Sequence, residues 1–361
     1  MKNSSCDIII PVWNQLEATR QCIDSIFKNT HYPYRLIIID NGSFRDAAEY
    51  LRKLEKEHAS KIILIRNDEN AGFVRAVNQG MRKSCAPYIC LMNNDTIPAD
   101  GWLEELVSIT EVHPKVGVVN PSSNTFGQCQ PCKSGENLAG QVQELYSARG
   151  FCMLIKRELL DAIGLFDEIF GTGYFEETDF SFKAQKAGFS IVRAKGSYVY
   201  HAENVSFKEL KNNDEIFAAN EKVFFSRWGH PVRVGYFIDR IDSVNLINEI
   251  ALGVARNGHQ ISIFLKRGLD LPVDADHFGI RRNDLPAQFF GVASVYKVLK
   301  RKMKKRFDFI LTDNYILGNF LKAISFLHKS KVRIAPRKEE LLAALNEESR
   351  KLAFSKVSGG G

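Results

Sequence analysis

The chain has 361 residues, 45% of them apolar and 25% charged, which excludes a disordered or fibrous protein and exceeds the length at which single cores stop growing. Its formal net charge of +7 suits phosphate-bearing substrates, an anionic membrane surface or nucleic acid without choosing among them. No run reaches the roughly 20 apolar residues of a bilayer-spanning helix, and the start MKNSSCDIII lacks a basic n-region followed by a long apolar segment, so a cytoplasmic protein is expected. The first elements are short runs apolar throughout, as strands buried on both faces are: Asp7 to Val12, Tyr34 to Asp40, Lys61 to Arg66 and Tyr88 to Asn93. Helical patterns separate them, with Leu16, Thr19, Ile23, Ile26 and Phe27 on one face and Phe73, Ala76, Val77, Gly80 and Met81 on another. Alternation of this kind predicts βαβ crossovers and an α/β fold around a mainly parallel, Rossmann-like sheet.

A helix is expected from Asp100, then a loop-rich stretch from about Gly117 to Gly150 that could shape a cleft. Beyond it come a strand at Phe151 to Ile155, a helix at Arg157 to Ile163, a helix at Glu177 to Ala187 closed by Gly188, and strands at Ile191 to Ala194 and Tyr198 to His201. A smaller α/β region follows. Its elements are Val232 to Ile238, the helix Asn245 to Arg256, Gln260 to Leu265 and Phe307 to Thr312. The expected division is a domain over residues 1–230, an accessory region over 231–357 and a flexible tail over 358–361. The basic run YKVLKRKMKKRF, Tyr296 to Phe307, reads as a solvated helix face or as a weak contact with anionic lipid; it is not evidence for nucleic acid. Seven scattered cysteines suit reduced thiols, and the lone Cys129-x-x-Cys132 pair lacks a second pair at zinc spacing. There is no GxGxxG or GxxxxGK[ST] loop.

Ligands of open parallel sheets bind beyond the carboxyl ends of the strands. Four successive strands end there in polar residues: Trp13 and Asn14; Asp40, Asn41, Gly42 and Ser43; Asn67 and Asn70; Asn93, Asn94 and Asp95. Any one set is ordinary turn chemistry; four on one edge suggest a site. Asp95 could hold a hard cation against a diphosphate or cap the next segment. Glu176, Glu177 and Asp179 could supply a general base, or could simply favour a helix N-terminus. His201 could complete a metal site or be a satisfied structural histidine.

The segments DIIIPVWN, LIIIDNGS, NDENAGFVRAVNQG, YICLMNNDT, LIKRELLDAIGLFDEIFGTGYFEETDFSFKAQKAGF and VYHAENVS together resemble, over residues 5–230, the family 2 glycosyltransferases of the GT-A fold, especially the rhamnosyltransferase-like members. The resemblance implies an inverting transfer of a sugar from a UDP- or dTDP-sugar to a glycan or lipid-linked hydroxyl, in bacterial surface polysaccharide or glycan assembly. It implies a donor pocket of Pro11, Val12, Trp13, Asn14, Asp40, Asn41, Gly42, Asn70, Asn93 and Asn94, with Arg75 reaching a phosphate or solvent. Asp95 and His201 would bind Mn2+ or Mg2+, and Glu177 would stand at the base position beside Glu176 and Asp179. Two departures matter: Asn93 replaces the first carboxylate of DxD, and Glu177 replaces an Asp. FFSRW at Phe224 to Trp228 lacks the Gln of processive synthases, so single addition is expected. The rivals are a catalytically silent nucleotide-sugar-binding module and a sugar nucleotidyltransferase, the latter disfavoured because Pro11-Val12-Trp13-Asn14 stands where a Gly-rich basic loop would be. The alternative to a freely cytoplasmic location is a peripheral one at the inner face of a membrane, through the basic C-terminal region.

Overall fold

The computed structural model describes residues 5–126, 137–202, 212–272, 276–302 and 305–357. Cys129, Cys132 and the tail 358–361 lie outside them. The chain divides into two compact units, Met1–Glu221 and Lys222–Gly361.

The first unit begins β1 (Cys6–Val12), α1 (Leu16–Asn29), β2 (Tyr34–Asn41), α2 (Arg45–Glu57), β3 (Ile62–Asn67), α3 (Phe73–Lys83) and β4 (Tyr88–Met92). Ile8, Ile9, Ile10, Leu36, Ile37, Ile38 and Ile39 have no exposed surface, so β1 and β2 are covered on both faces, as their unbroken apolar character predicts. β3, β2, β1 and β4 run parallel in that order, with Ile8 beside Leu36 and Asp40 beside Arg66. Gly80 lets α3 press onto β1, because a Cβ there would collide with the Ile9 side chain. β5 (Thr96–Pro98), α4 (Trp102–Val112), β6 (Val116–Ser122), β7 (Val142–Leu145), β8 (Cys152–Lys156), α5 (Arg157–Ile163), α6 (Glu176–Lys186) and β9 (Ser190–His201) complete it. β8 is antiparallel to β4 and β6, and β9 pairs parallel with β6 and antiparallel with β5 and β7.

Three expectations need correction. Gly117 to Gly150 is not loose throughout, since β6 and β7 lie within it; Gly117 and Pro121 masked a strand that tertiary pairing stabilises. The strands expected at Ile191 to Ala194 and Tyr198 to His201 are one strand, whose register against β6 shifts between Pro121 and Ser122. A bulge of that kind breaks the periodicity without ending the strand. Third, only the first residues of the basic run, up to Leu299, are α-helical; Met303 and Lys304 lie outside the described residues.

α7 (Asn213–Trp228) spans the division between the units. In the second unit come β10 (Arg233–Ile238), α8 (Val244–Arg256), β11 (Gln260–Lys266), β12 (Ile280–Leu285), α9 (Phe290–Leu299), β13 (Phe309–Thr312), α10 (Tyr315–Ala323), α11 (Ser325–His328), β14 (Lys331–Ile334) and α12 (Lys338–Val357). Its five strands are all parallel, in the order β12-β11-β10-β13-β14. α8 and residues Leu341 and Leu345 of α12 share one apolar core cluster with the sheet, and α9 and α10 share another. The helix within the basic run ends at Leu299, with Lys300 as its C-cap. Together the two sheets bear out an α/β, mainly parallel fold with a second α/β region.

Candidate active site

The carboxyl ends of β1, β2 and β4 deliver polar residues to one cavity of about 260 Å³ in the first unit. Pro11, Val12 and Trp13 enter from β1, Asn41 from β2, Asn70 from the loop after β3, and Asn93, Asn94 and Asp95 from the turn after β4. Gly150, Phe151, Glu176, Glu177 and His201 close the other side.

Asn41 fixes the loop of the next strand. Its carbonyl accepts from the Ala71 N–H at 3.0 Å and the Asn67 amide at 2.9 Å, while its own amide donates to Asn70 Oδ1 at 2.8 Å. Gly42 makes the tight turn, with φ of 80°; a Cβ there would lie 2.6 Å from the Glu69 carbonyl carbon. The Asn94 side-chain amide donates to Thr19 Oγ1 at 2.9 Å. Asp95 is thus the carboxylate of its turn.

Asp95 is nearly buried, and its Oδ1 has no hydrogen-bond partner although it lies 3.3 Å from His201 Nε2. An unsatisfied buried carboxylate oxygen costs free energy unless a proton, donor or cation meets it. The β5–β9 pairing brings the two together, with Thr96 opposite His201. The His201 backbone N–H and C=O are both held by the Asn124 side chain at 2.8 and 2.9 Å, and its ring stacks on Phe151 at 5.2 Å. Among the described residues no three His, Cys, Asp or Glu side chains gather as a ready-made metal cage. Two convergent donors, one of them an orphaned oxygen, are the kind of set that would suit a hard divalent cation whose remaining ligands came from outside the protein.

Glu176 and Glu177 open α6 after a left-handed pair, Tyr174 and Phe175, with φ of 71° and 73°. Such geometry in non-glycine residues costs about 1 kcal/mol or more each and persists only when its surroundings enforce it. Asn220 enforces it. Its buried amide donates to the carbonyls of Phe170, Gly173 and Tyr174 at 2.9, 2.7 and 3.3 Å. Burial, then the charge of Glu177, pushes the Glu176 carboxyl well above the usual carboxylate range. Burial also raises Glu177, against which its own backbone N–H, the Arg149 charge and a hydrogen bond from Glu176 favour ionisation. Both carboxyls are raised, Glu176 well above its usual range, so Glu176 is the better holder of a proton and Glu177 the better carrier of charge.

Residues 7–164 match the family model Glycosyl transferase family 2. That stretch is under half of the chain; it takes in β1 to α5 and stops before Glu176, Glu177 and His201. The chain is 24% identical over 196 residues to glycosyltransferase AglE of Haloferax volcanii, covering 52% of this chain and 63% of that one. It is likewise 24% identical over 174 residues to a poly-β-1,6-N-acetyl-D-glucosamine synthase of Staphylococcus epidermidis, covering 44% and 41%. It spans less than two thirds of either relative. Among solved structures it is similar to the mannosyltransferase PcManGT from Pyrobaculum calidifontis in complex with GDP-Man and Mn2+, at 18% identity and a TM-score of 0.46 over 56% of this chain and 57% of that one. No described helix is long and apolar enough to cross a membrane.

Other residues expected at the site lie elsewhere. Asp40 is fully buried outside the cavity lining, where its carboxylate binds Arg66 and accepts from the Ser43 N–H at 2.9 Å. Asn14 braces the turn after β2, taking the Phe44 N–H at 2.8 Å. Gly42 shapes the same turn from outside the lining. Asp179 lies outside it too and pairs with Lys183 at 2.7 Å. Arg75 is largely exposed, 3.5 Å from Glu168. Conversely, Gly72, Phe73, Phe151, Thr172 and Tyr174 line the cavity without having been expected there, and Gly150 does so from the end of the stretch expected to shape a cleft. Thr172 and Tyr174 sit among Gly171, Gly173 and Glu176 in the quoted segment FGTGYFEETDF, the one local signal that could have found them.

Proposed function

We propose that the first unit transfers a sugar from a nucleoside-diphosphate sugar to an acceptor hydroxyl, with inversion at the sugar carbon. The observation that carries this is the opening of two acid groupings into one cavity, Asp95 with His201 and Glu176 with Glu177. The family match and the named relatives support the reaction class. Pro11, Val12, Trp13, Asn41, Asn70 and Asn93 would hold the donor, with Asp40 and Arg66 acting beneath them as a neutralised pair that sets the β2 end.

Asp95 and His201 would hold Mn2+ or Mg2+, which when bound offsets the charge of the departing diphosphate. Glu177 takes the acceptor hydroxyl proton as the new carbon–oxygen bond forms and the bond to the diphosphate breaks. Glu176, whose carboxyl burial and the Glu177 charge raise further, would hold a proton more readily and so leave the charge to Glu177. The donor would be a UDP- or dTDP-sugar and the acceptor a glycan or lipid-linked chain of a bacterial surface polysaccharide, on the pattern of the S. epidermidis synthase's product. A lipid-linked acceptor places the protein at the inner face of a membrane, with its basic second region in contact.

Thermal stabilisation by a panel of nucleotide sugars with and without Mn2+ tests the binding half of this reading. A ligand at a hundred times its Kd adds about 2.7 kcal/mol, so a match should raise the unfolding midpoint, more so with Mn2+. No shift by any nucleotide sugar would reject it.

A further inference from the structure

Helices α9 and α10 of the second unit carry large apolar side chains on their outward side as well as toward the core, beside the exposed Lys297, Asn319 and Lys322. On α9, Phe290 and Val298 pack into the core shared with α10's Leu317 and Leu321. The opposite side of α9 is also apolar yet lies open: Val292 is 71% and Tyr296 56% exposed. On α10, Ile316 is 85% and Phe320 51% exposed, and Phe326 of α11 is 72% exposed. α11 touches both longer helices, so the three present their outward sides on the same face of the second sheet. A surface helix normally turns charge outward, and an apolar patch of several large side chains marks an interaction surface.

The charges around this face decide the partner. Lys297, Lys300, Lys302, Lys305, Lys322 and Lys329 are all exposed, whereas between Pro286 and Ser330 the acidic residues are Asp308 and Asp313 alone. Both acids are only part-exposed, and Asp313 accepts from the Tyr236 hydroxyl at 3.0 Å. A second copy of the chain docking through the same face would set these lysines against their counterparts, which is repulsive. Apolar side chains ringed by lysine are what a layer of anionic headgroups over acyl chains accepts: the lysines stay at the phosphates while the rings and branched chains enter the boundary.

We propose that the α9–α11 face docks the second unit on an anionic lipid surface by inserting Val292, Tyr296, Ile316, Phe320 and Phe326. The proposal rests on the membrane contact offered above, not on the sugar chemistry, and it adds that insertion rather than charge alone holds the chain there. The full chain is sedimented with vesicles of phosphatidylcholine containing about a third phosphatidylglycerol, and with phosphatidylcholine alone, at low and high salt. The wild type should bind the anionic vesicles and keep a measurable part of that binding in high salt, which screens charge but not insertion. Val292→Glu with Ile316→Glu, or the milder Val292→Ser with Ile316→Ser, should cut binding at least tenfold with an unchanged unfolding midpoint, since both sites are open. Lys300→Glu with Lys302→Glu should weaken binding chiefly at low salt. If the apolar variants bind within twofold of wild type while the lysine variant is lost, insertion is wrong and only the charge contact stands. Absence of any wild-type binding, or a dimer that the apolar variants dissociate, overturns the proposal entirely.

Discussion

Asn220→Ala should disable the site without touching it. The side chain gives two N–H donors to three carbonyls, those of Phe170, Gly173 and Tyr174, which hold Tyr174 and Phe175 left-handed ahead of the carboxylates. Each hydrogen bond is worth about 1 kcal/mol net, and a buried carbonyl left without a donor costs about 1–3 kcal/mol. The left-handed pair stores roughly 2 kcal/mol that the clamp must offset. We expect the first unit to lose about 2–3 kcal/mol in urea unfolding, and turnover to fall more than tenfold as Glu176 and Glu177 lose their fixed start. Asn220→Asp has nearly the same shape but no amide donors and faces the same carbonyls, so it should be as harmful or worse. An Asp variant within about 0.5 kcal/mol of wild type, below the worth of one such bond, would show that shape and not donation holds the loop, and would refute the reasoning.

Glu177→Gln keeps the packing but cannot accept a proton, and removal of a general base costs about 10²–10⁴-fold; turnover under single-addition conditions should fall in that range while donor binding persists. In the wild type both carboxyls are raised, so the folded state holds more protons than the unfolded chain above the ordinary glutamate value, and this contribution to stability is present at low pH and lost as pH rises through the raised values. Glu176→Gln should flatten that fall, as read from unfolding midpoints across pH. Gly42→Ala places a Cβ against the Glu69 backbone at a φ of 80°, and should destabilise the first unit by about 1–3 kcal/mol.

β1 to β4 were legible because a strand covered on both faces must be apolar along its whole length, and nothing else in so short a run looks like Ile8 to Ile10 or Leu36 to Ile39. β12, with the sequence IRRNDL and mostly exposed, carries no such mark, and β6 hides behind Gly117 and Pro121. The strand-end residues were legible as a set, yet Asp40 and Asp95 look alike in sequence. The difference is tertiary: the β2–β3 register sets Arg66 opposite Asp40, while β9, a hundred residues later in order, brings only His201 to Asp95. Lys183, four residues after Asp179, was a visible reason to remove Asp179 from the base candidates. Asn120 and Asn220 could not be found that way. Asn120 donates to the Arg149 and Cys152 carbonyls at 2.8 and 2.6 Å, framing Gly150 and Phe151, and both asparagines act from elements whose neighbours only the fold reveals.

The central claim is transfer chemistry in the Asp95–Glu177 cavity, and phosphorus NMR of a stabilising nucleotide sugar tests it most directly. With Mn2+ and an acceptor or water, the wild type should release nucleoside diphosphate catalytically, and Asp95→Ala and Glu177→Gln, both folded, should release it at least a hundredfold more slowly, the lower bound for loss of a catalytic base. Binding of the nucleotide sugar without any release by the wild type, or near-normal release by either variant, would contradict it.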